Sequence, residues 1–267
     1  MNNEMIAKGK KYIMGTYSQA PIVIEKGQGV FLTDNTGKEY IDMVSGIAVN
    51  SLGYGHPAVV KAIQEQAEKL IHISNLYWNV PQIELAEKLC QASGLGKAFF
   101  CNSGAEANES AIKLARKYGN GRSTIISMIQ SFHGRTMGAL KATGQTKYQN
   151  GFAPLPEGFK YTEANNIEML DATIDDDTCA IMLEVIQGEA GIIALDEAYL
   201  KHVEQVCAEK DILFIIDEVQ TGMGRTGYAF AHQKYGLHPD IVTMAKAIAG
   251  GVPMGAMLAK DSVAAAF

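Results

Sequence analysis

The chain has 267 residues, of which 47% are hydrophobic and 19% are charged, and its net charge is -6. This length allows one large domain, or a large domain with a further fragment. The acidic balance argues against nucleic acid as a partner, because binding to phosphates needs a surplus of Lys and Arg.

The N-terminus lacks the apolar segment of a signal peptide, and no run of about 18 apolar residues occurs. Cys90, Cys101, Cys179 and Cys207 stand far apart, without C-x-x-C spacing and without histidines at ligand spacing. They are typical of reduced core residues in a cytoplasmic protein, and they argue against a zinc site. We therefore expect neither a membrane nor a metal among the partners.

The first predicted elements are a hairpin and two helices. Residues Val30 to Met43 fit two strands around the turn Asp34-Asn35-Thr36-Gly37. Pro57 suits the first turn of a helix, and apolar residues recur on one face after it. Another helix follows Pro81. We assign residues 1–55 to an N-terminal segment that contributes to a smaller domain, and residues 56–267 to a large domain.

From residue 97 onward, strands and helices alternate. The predicted strands are Lys97–Cys101, Thr124–Met128, Cys179–Ile186, Ile212–Ile216 and Ile241–Ala245, and the predicted helices are Ala105–Tyr118 and Ala198–Ala208. A uniformly apolar run such as Ile212–Ile216 is typical of a parallel strand covered on both faces. The alternation predicts an α/β fold with a mainly parallel, doubly wound sheet. The stretch Asn150–Tyr161, rich in Gly and Pro, is predicted to be a surface loop.

Two of these strands end in a charged residue, Asp217 after Ile212–Ile216 and Lys246 after Ile241–Ala245. A solvated amine and a salt-bridged acid are the simplest interpretations. However, ligands bind beyond the carboxyl ends of strands in open α/β sheets. Small and apolar neighbours would desolvate Lys246, which lowers the pKa of its amine and favours Schiff base formation. A buried Asp217 needs a partner, and a protonated pyridine nitrogen would serve. This combination is how proteins use pyridoxal phosphate as an electron sink.

A phosphate site is then expected where strand Lys97–Cys101 leads into the next helix through Asn102–Glu109. Free backbone N–H groups at a helix start, together with the Ser103 hydroxyl, favour a phosphate dianion. The helix macrodipole adds about 0.3–1 kcal/mol per charge. The same residues also fit an ordinary capping box, in which Asn102 or Ser103 pairs with Glu106. Beside Asp217 and Lys246, the phosphate interpretation is favoured.

Two further strand ends carry candidate residues. Phe132 could stack on a planar cofactor and Arg135 could bind a substrate carboxylate, although a turn with a surface arginine is the alternative. Glu184 could pair with a cation. Glu189 could steer a cationic substrate group or hold an arginine.

The segment Gly222–Gly227 has the G-x-G-x-x-G spacing of dinucleotide-binding proteins. In those proteins the glycines open a helix directly after a strand, and an acid ends the next strand. Here Asp217 to Thr221 intervene, and Lys246 ends the next strand. The sequence therefore argues against a nicotinamide site.

Taken together, these segments resemble the class III aminotransferases, which are fold-type I pyridoxal-phosphate enzymes of the ornithine and acetylornithine type. The resemblance extends along essentially the whole chain, and its most specific motifs are Asn102–Glu109, Phe132–Arg135, Gln187–Glu189 and Asp217–Gly222. Gly46–Gly53 and His72–Leu76 look most like acetylornithine aminotransferases.

The resemblance implies a cofactor role for eight residues. Lys246 would bind pyridoxal 5'-phosphate covalently and then shuttle a proton between substrate and cofactor. Asp217 would keep the pyridine nitrogen protonated, and Gln220 would contact the ring hydroxyl. The other implied residues are Phe132 and Val219 on the two faces of the ring, and Ser103, Gly104 and Ala105 at the phosphate.

The resemblance also implies substrate contacts. Arg135 would bind the α-carboxylate, Glu189 would act as the family's gating glutamate, and Tyr17 would line the substrate entrance. The implied reaction is transamination of N2-acetylornithine with 2-oxoglutarate, as in arginine biosynthesis, by a homodimer. Ornithine, succinylornithine and 4-aminobutyrate remain alternative donors. The family normally continues beyond the position of Phe267 into a C-terminal domain, so a cofactor-binding segment without turnover also remains open.

Overall fold

The computed structural model describes residues 2–267. Contacts within the chain separate two compact units, Met1–Tyr77 and Trp78–Phe267. The helix that begins at Pro57 therefore belongs to the first unit, whereas the predicted boundary lies just before it. The assignment of a smaller and a larger domain to the two parts of the chain stays a prediction.

The described residues of the first unit form one small sheet and three helical segments. Its elements in chain order are α1 (Asn2–Tyr12), β1 (Ile24–Gln28), β2 (Phe31–Asp34), β3 (Glu39–Ile41), α2 (Ser45–Ala48) and α3 (Pro57–Lys69). Strands β1, β2 and β3 form an antiparallel sheet in that order, which confirms the predicted hairpin. The Asp34 carboxylate fixes its turn by accepting hydrogen bonds from the backbone N–H groups of Thr36 and Lys38. The apolar face of α3 is not buried, since Val60 and Ile63 are 40% and 48% exposed.

The second unit is an α/β structure. Its helices are α4 (Val80–Ser93), α5 (Gly104–Tyr118), α6 (Met137–Ala142), α7 (Thr146–Gln149), α8 (Ile167–Thr173), α9 (Glu197–Lys210) and α10 (Asp261–Ala264). Its strands are β4 (Lys97–Cys101), β5 (Thr124–Met128), β6 (Phe159–Thr162), β7 (Thr178–Leu183), β8 (Ile186–Gln187), β9 (Ile193–Ala194), β10 (Leu213–Asp217), β11 (Ile241–Met244) and β12 (Gly255–Ala259). Two 3-10 turns, Ala231–Tyr235 and Lys246–Ala249, complete the unit.

Seven strands form the central sheet in the order β4-β12-β11-β10-β7-β5-β6. Strand β12 is antiparallel to both β11 and β4, and the pairings among β11, β10, β7, β5 and β6 are parallel. This topology confirms the predicted mainly parallel sheet. Among the helices of residues 2–267, none is long and apolar enough to cross a membrane.

Strand β10 shows that the sheet is covered on both faces. Phe214 and Ile216 pack in one apolar cluster with residues of α9, whereas Leu213 and Ile215 pack in another with residues of α5. Each of these four side chains is at most 3% exposed. Burial of a side chain of this size contributes about 1.5–3 kcal/mol. The two clusters therefore hold the carboxyl end of β10, and with it Asp217, in a fixed place.

Two predictions about strands were wrong in detail, and one strand was missed. Phe159–Thr162 forms edge strand β6, so the predicted loop ends earlier than Tyr161. Strand β7 ends at Leu183, and Ile186 begins a separate two-residue strand. Strand β12 was not predicted, because its five residues follow a Gly-rich stretch and give no alternating pattern.

Candidate active site

The candidate site lies at the carboxyl ends of β10 and β11. Asp217 is the last residue of β10, pairs in register with Thr243 of β11, and is 2% exposed. Lys246 follows β11 and begins a 3-10 turn with a φ of 50°. Left-handed backbone costs a non-glycine residue about 1–2 kcal/mol, and such strain clusters at functional sites. The Nζ of Lys246 donates a hydrogen bond to Oε1 of Gln220, so the structure brings these two predicted residues together.

The Asp217 carboxylate has three hydrogen-bond partners among the described residues. Its Oδ2 accepts from Nδ2 of Asn108 at 2.7 Å and lies 2.8 Å from Nδ1 of His133. Its Oδ1 accepts from the backbone N–H of Val219 at 2.9 Å. A carboxylate offers about four acceptor positions, so one remains for a further donor. The buried acid is therefore held rigidly and can still bind a ligand N–H.

Asn108 connects the elements of the site. Its Nδ2 also donates to the carbonyl oxygen of His133 at 2.7 Å, and its Oδ1 accepts from the Thr243 hydroxyl at 2.6 Å. No role was predicted for Asn108 or for the His133 ring. A signal was present, because Asn108 shares the apolar face of α5 with Ala111 and Ala115. A polar side chain at such a position requires buried partners.

The charges of the site act on one another. Burial alone lowers the pKa of His133, but the hydrogen bond and the charge of Asp217 outweigh it and raise the pKa above the usual 6.5. The Asp217 carboxylate therefore stabilises the protonated form of the neighbouring imidazole relative to its neutral form. Burial raises the pKa of Glu184 to about 7; the charge of His133 opposes this rise and that of Asp217 reinforces it. Glu184 accepts hydrogen bonds from the backbone N–H groups of Phe132 and Gly188, at 2.9 and 3.4 Å.

Burial also lowers the pKa of Lys246, against the opposing charges of Asp217, Glu189 and Glu184. The direction agrees with the predicted desolvation of the amine. A lower pKa leaves a larger fraction of the amine unprotonated at neutral pH, and the unprotonated amine is the nucleophile. Lys246 therefore has the electrostatic setting that its predicted role needs.

The start of α5 forms the capping arrangement that was the alternative to a phosphate site. Oγ of Ser103 accepts from the backbone N–H of Glu106 at 3.2 Å, and Oε2 of Glu106 accepts from the backbone N–H of Asn102 at 2.6 Å. The amides of the first helical turn still have no partner within the helix itself. Phosphate binding by Ser103, Gly104 and Ala105 stays a prediction.

Two glycines bring the other segments against this helix start. A Cβ at Gly104 would lie 2.9 Å from both γ-methyl groups of Val219. Gly134 has a φ of 130°, and a Cβ there would lie 2.7 Å from Cβ of Ala105. Contacts this close exclude larger side chains. The segments that carry Val219 and Phe132 consequently both reach the start of α5.

The three predicted substrate residues are all exposed. Arg135 is exposed, with its Cζ 5.0 Å from the centre of the Tyr148 ring. Glu189 is exposed in the turn between β8 and β9. Tyr17 belongs to the first unit and is 64% exposed. The substrate roles of these three residues stay predictions.

The glycine motif Gly222–Gly227 lies in turns, and no α-helix begins there. The context that dinucleotide binding requires is therefore missing, which agrees with the sequence argument. Among the described residues, no group of three or more His, Cys, Asp or Glu side chains could hold a metal ion.

Comparisons with known proteins agree with one another. A family model described as Aminotransferase class-III matches residues 12–267. An acetylornithine aminotransferase of Caldanaerobacter subterraneus subsp. tengcongensis is 57% identical across 97% of this chain and 67% of its own length. The crystal structure of N-acetylornithine aminotransferase from Stenotrophomonas maltophilia K279a has a TM-score of 0.83 at 40% identity, covering 98% of this chain and 66% of that one.

A further solved structure is that of an ornithine aminotransferase from Toxoplasma gondii, described as having partial occupancy of PLP at its active site. It has a TM-score of 0.95 at 31% identity and covers 99% of this chain and 64% of its own. The chain thus spans about two thirds of the length of the proteins it matches.

Proposed function

The chain belongs to the class III aminotransferases, and we propose that it carries the cofactor site of an enzyme that transfers an amino group from N2-acetylornithine to 2-oxoglutarate. The observation that carries the proposal is the arrangement of Asp217 and Lys246 at adjacent strand ends, in a chain 57% identical to an acetylornithine aminotransferase. The named activity belongs to relatives that are longer than this chain. Turnover by the chain is therefore part of what is proposed.

The residues present fit pyridoxal 5'-phosphate. The buried Asp217 carboxylate keeps one acceptor position open, which a protonated pyridine nitrogen would fill. The side chain of Val219 lies against Gly104 at the start of α5. Ser103, Gly104 and Ala105 would hold the phosphate there. Phe132 and Val219 would contact the ring, and Gln220 its hydroxyl. Bound there, the cofactor supplies an electron sink for the electrons of the broken C–H bond.

The chain's own residues then have separate tasks. Nδ1 of His133, 2.8 Å from Oδ2 of Asp217, would donate a hydrogen bond to the carboxylate and hold it in place for the ring nitrogen of the cofactor. Nζ of Lys246 would attach the cofactor and later take the proton from the amino-bearing carbon of the substrate. Its lowered pKa supports both tasks, since a general base works best with a pKa near the operating pH.

Arg135 would bind the substrate carboxylate, Glu189 would discriminate between the ω-amine and an α-amino acid, and Tyr17 would line the entrance. A bidentate arginine–carboxylate pair gives both affinity and orientation. We further propose a cytoplasmic homodimer. The four free cysteines support a reducing compartment.

The substrate can be tested by measuring glutamate formation from 2-oxoglutarate with three donors: N2-acetylornithine, ornithine and 4-aminobutyrate. We expect the highest kcat/KM with N2-acetylornithine. A higher value with ornithine would favour a second candidate function, that of an ornithine aminotransferase. The Toxoplasma gondii structure, which has a TM-score of 0.95, supports this candidate. Tight cofactor binding without glutamate from any donor would instead identify the chain as a cofactor-binding segment.

A further inference from the structure

Glu109, which no motif argument had assigned a task, contacts the residues directly after Arg135. This residue of α5 is half-buried, and its Oε1 accepts three hydrogen bonds. The donors are the Thr136 hydroxyl at 2.6 Å and the backbone N–H groups of Gly138 and Ala139, at 2.8 and 3.0 Å. Hydrogen bonds to an ionised acceptor are shorter and stronger than neutral ones. Glu109 therefore fixes the backbone at the start of α6.

The fit between Glu109 and this backbone leaves no spare room. A Cβ at Gly138 would lie 2.4 Å from Oε2 of Glu109. The carboxylate thus contacts the main chain itself, and a shift of the start of α6 would break the three hydrogen bonds together. Since Arg135 immediately precedes Thr136, the position of its Cα depends on the same anchor.

Tyr148 acts on the other end of Arg135, the guanidinium group. Cζ of Arg135 lies 5.0 Å from the centre of the Tyr148 ring. The same ring makes an edge-on contact with Phe132, with centroids 5.5 Å apart and planes at 76°. A cation within about 6 Å of a ring centroid is attracted by the negative face of the ring. Tyr148 therefore joins the predicted cofactor-stacking residue and the predicted carboxylate-binding residue in one packed group.

We propose that Glu109 and Tyr148 are positioning residues that set the selectivity for substrates with a carboxylate. Glu109 holds the backbone beside Arg135, and Tyr148 holds the guanidinium. The N–H donors of Arg135 are therefore oriented before the substrate carboxylate binds. Preorganisation reduces the entropic cost of binding, and its loss raises KM more than it lowers kcat. The inference rests on the proposed function, because that function makes Arg135 the carboxylate ligand.

The test compares two amino donors, N2-acetylornithine and N-acetylputrescine, the second being the first without its carboxylate. Glu109→Ala and Tyr148→Leu should each raise the KM for N2-acetylornithine about tenfold, which corresponds to about 1.4 kcal/mol. The kcat/KM for N-acetylputrescine should fall far less. Tyr148→Phe keeps the ring and Glu109→Gln keeps the acceptor oxygen, so both conservative variants should restore most of the lost affinity. Lys147→Ala is the matched control, because Lys147 is a second cation over the same ring.

A second readout needs no turnover. Hydrogen exchange of the Gly138 and Ala139 amides should accelerate about tenfold in Glu109→Ala and stay unchanged in Tyr148→Leu, because the carboxylate of Glu109, and not Tyr148, accepts hydrogen bonds from these amides. Unchanged exchange in Glu109→Ala would refute the claim that Glu109 fixes the backbone at the start of α6. Should Glu109→Ala fail to fold, Tyr148→Leu still decides the selectivity claim.

Several results would contradict the inference. Equal losses with both donors would show a general structural role, and no loss with N2-acetylornithine would show no role at all. A failure of the proposed function looks different. In that case the unsubstituted chain would not prefer N2-acetylornithine over N-acetylputrescine, and Arg135→Gln would leave both rates unchanged.

Discussion

Replacement of Asn108 by Ala tests whether the buried network around Asp217 holds the site together. Asn108 is 1% exposed and has three partners: the His133 carbonyl, the Asp217 carboxylate and the Thr243 hydroxyl. These partner residues are themselves at most 2% exposed, so water cannot easily replace the lost side chain. The substitution therefore leaves three buried polar groups without one of their partners.

The expected loss follows from the cost of such groups. A buried polar group left without a partner costs about 1–3 kcal/mol, and more when it is charged. Asp217 keeps two other donors, from His133 and Val219, so its share lies at the low end. We expect Asn108→Ala to lower the free energy of unfolding by about 4 kcal/mol. That is a large part of the roughly 5–15 kcal/mol that stabilises a typical domain.

Urea unfolding followed by circular dichroism measures this loss. Asn102→Ala is the control, because Asn102 is exposed and its substitution should change stability by less than about 0.5 kcal/mol. Thr243→Val removes the hydroxyl that pairs with Asn108, so the double variant should lose at least about 1 kcal/mol less than the sum of the single variants. A loss below about 1 kcal/mol in Asn108→Ala, or full additivity in the double variant, would refute the network.

Two further predictions concern Glu184 and Gly134. Burial in the folded state raises the pKa of Glu184 from 4.5 to about 7. Between these two pH values Glu184 is protonated in the folded protein but ionised in the unfolded chain. The free energy of unfolding therefore falls as the pH rises through this range. Glu184→Gln should remove that fall, because its amide does not ionise. Relative to the unsubstituted protein, the variant should therefore gain up to about 3 kcal/mol of unfolding free energy between pH 4 and a pH above 7. Unfolding free energies of the two proteins that run parallel from pH 4 to 8 would contradict this prediction. Gly134→Ala should destabilise the protein by more than about 1 kcal/mol, because its φ is 130° and its new Cβ would lie 2.7 Å from Ala105. A melting temperature equal to that of the unsubstituted protein would show that the segment can shift without cost.

The parallel strands other than β6 could be predicted because their sequences mark them locally. A uniformly apolar run such as β10 indicates a strand buried on both faces, and the polar residue after such a run indicates where the edge of the sheet lies. Strand β12 could not be found in this way. Its short segment owes its strand conformation to pairing with β4 and β11, which is a property of the tertiary structure.

The residues of the candidate site also differ in whether their neighbours in the sequence reveal them. Asp217 and Lys246 can be recognised, because each is a charged residue at the end of an apolar strand. The task of Asn108 depends on Asp217, 109 residues away, and that of Glu109 on Thr136, 27 residues away. Such contacts depend on which strand lies beside which helix, so a single sequence shows only that a polar residue on a buried face needs some partner.

The central claim is that Lys246 binds pyridoxal 5'-phosphate covalently beside Asp217. The most direct measurement is to add the cofactor, reduce the bond between protein and cofactor with borohydride, and locate the modified lysine by peptide mass. We expect modification at Lys246, and none in Lys246→Ala. Modification of another lysine, or of none in a chain shown to be folded, would contradict it.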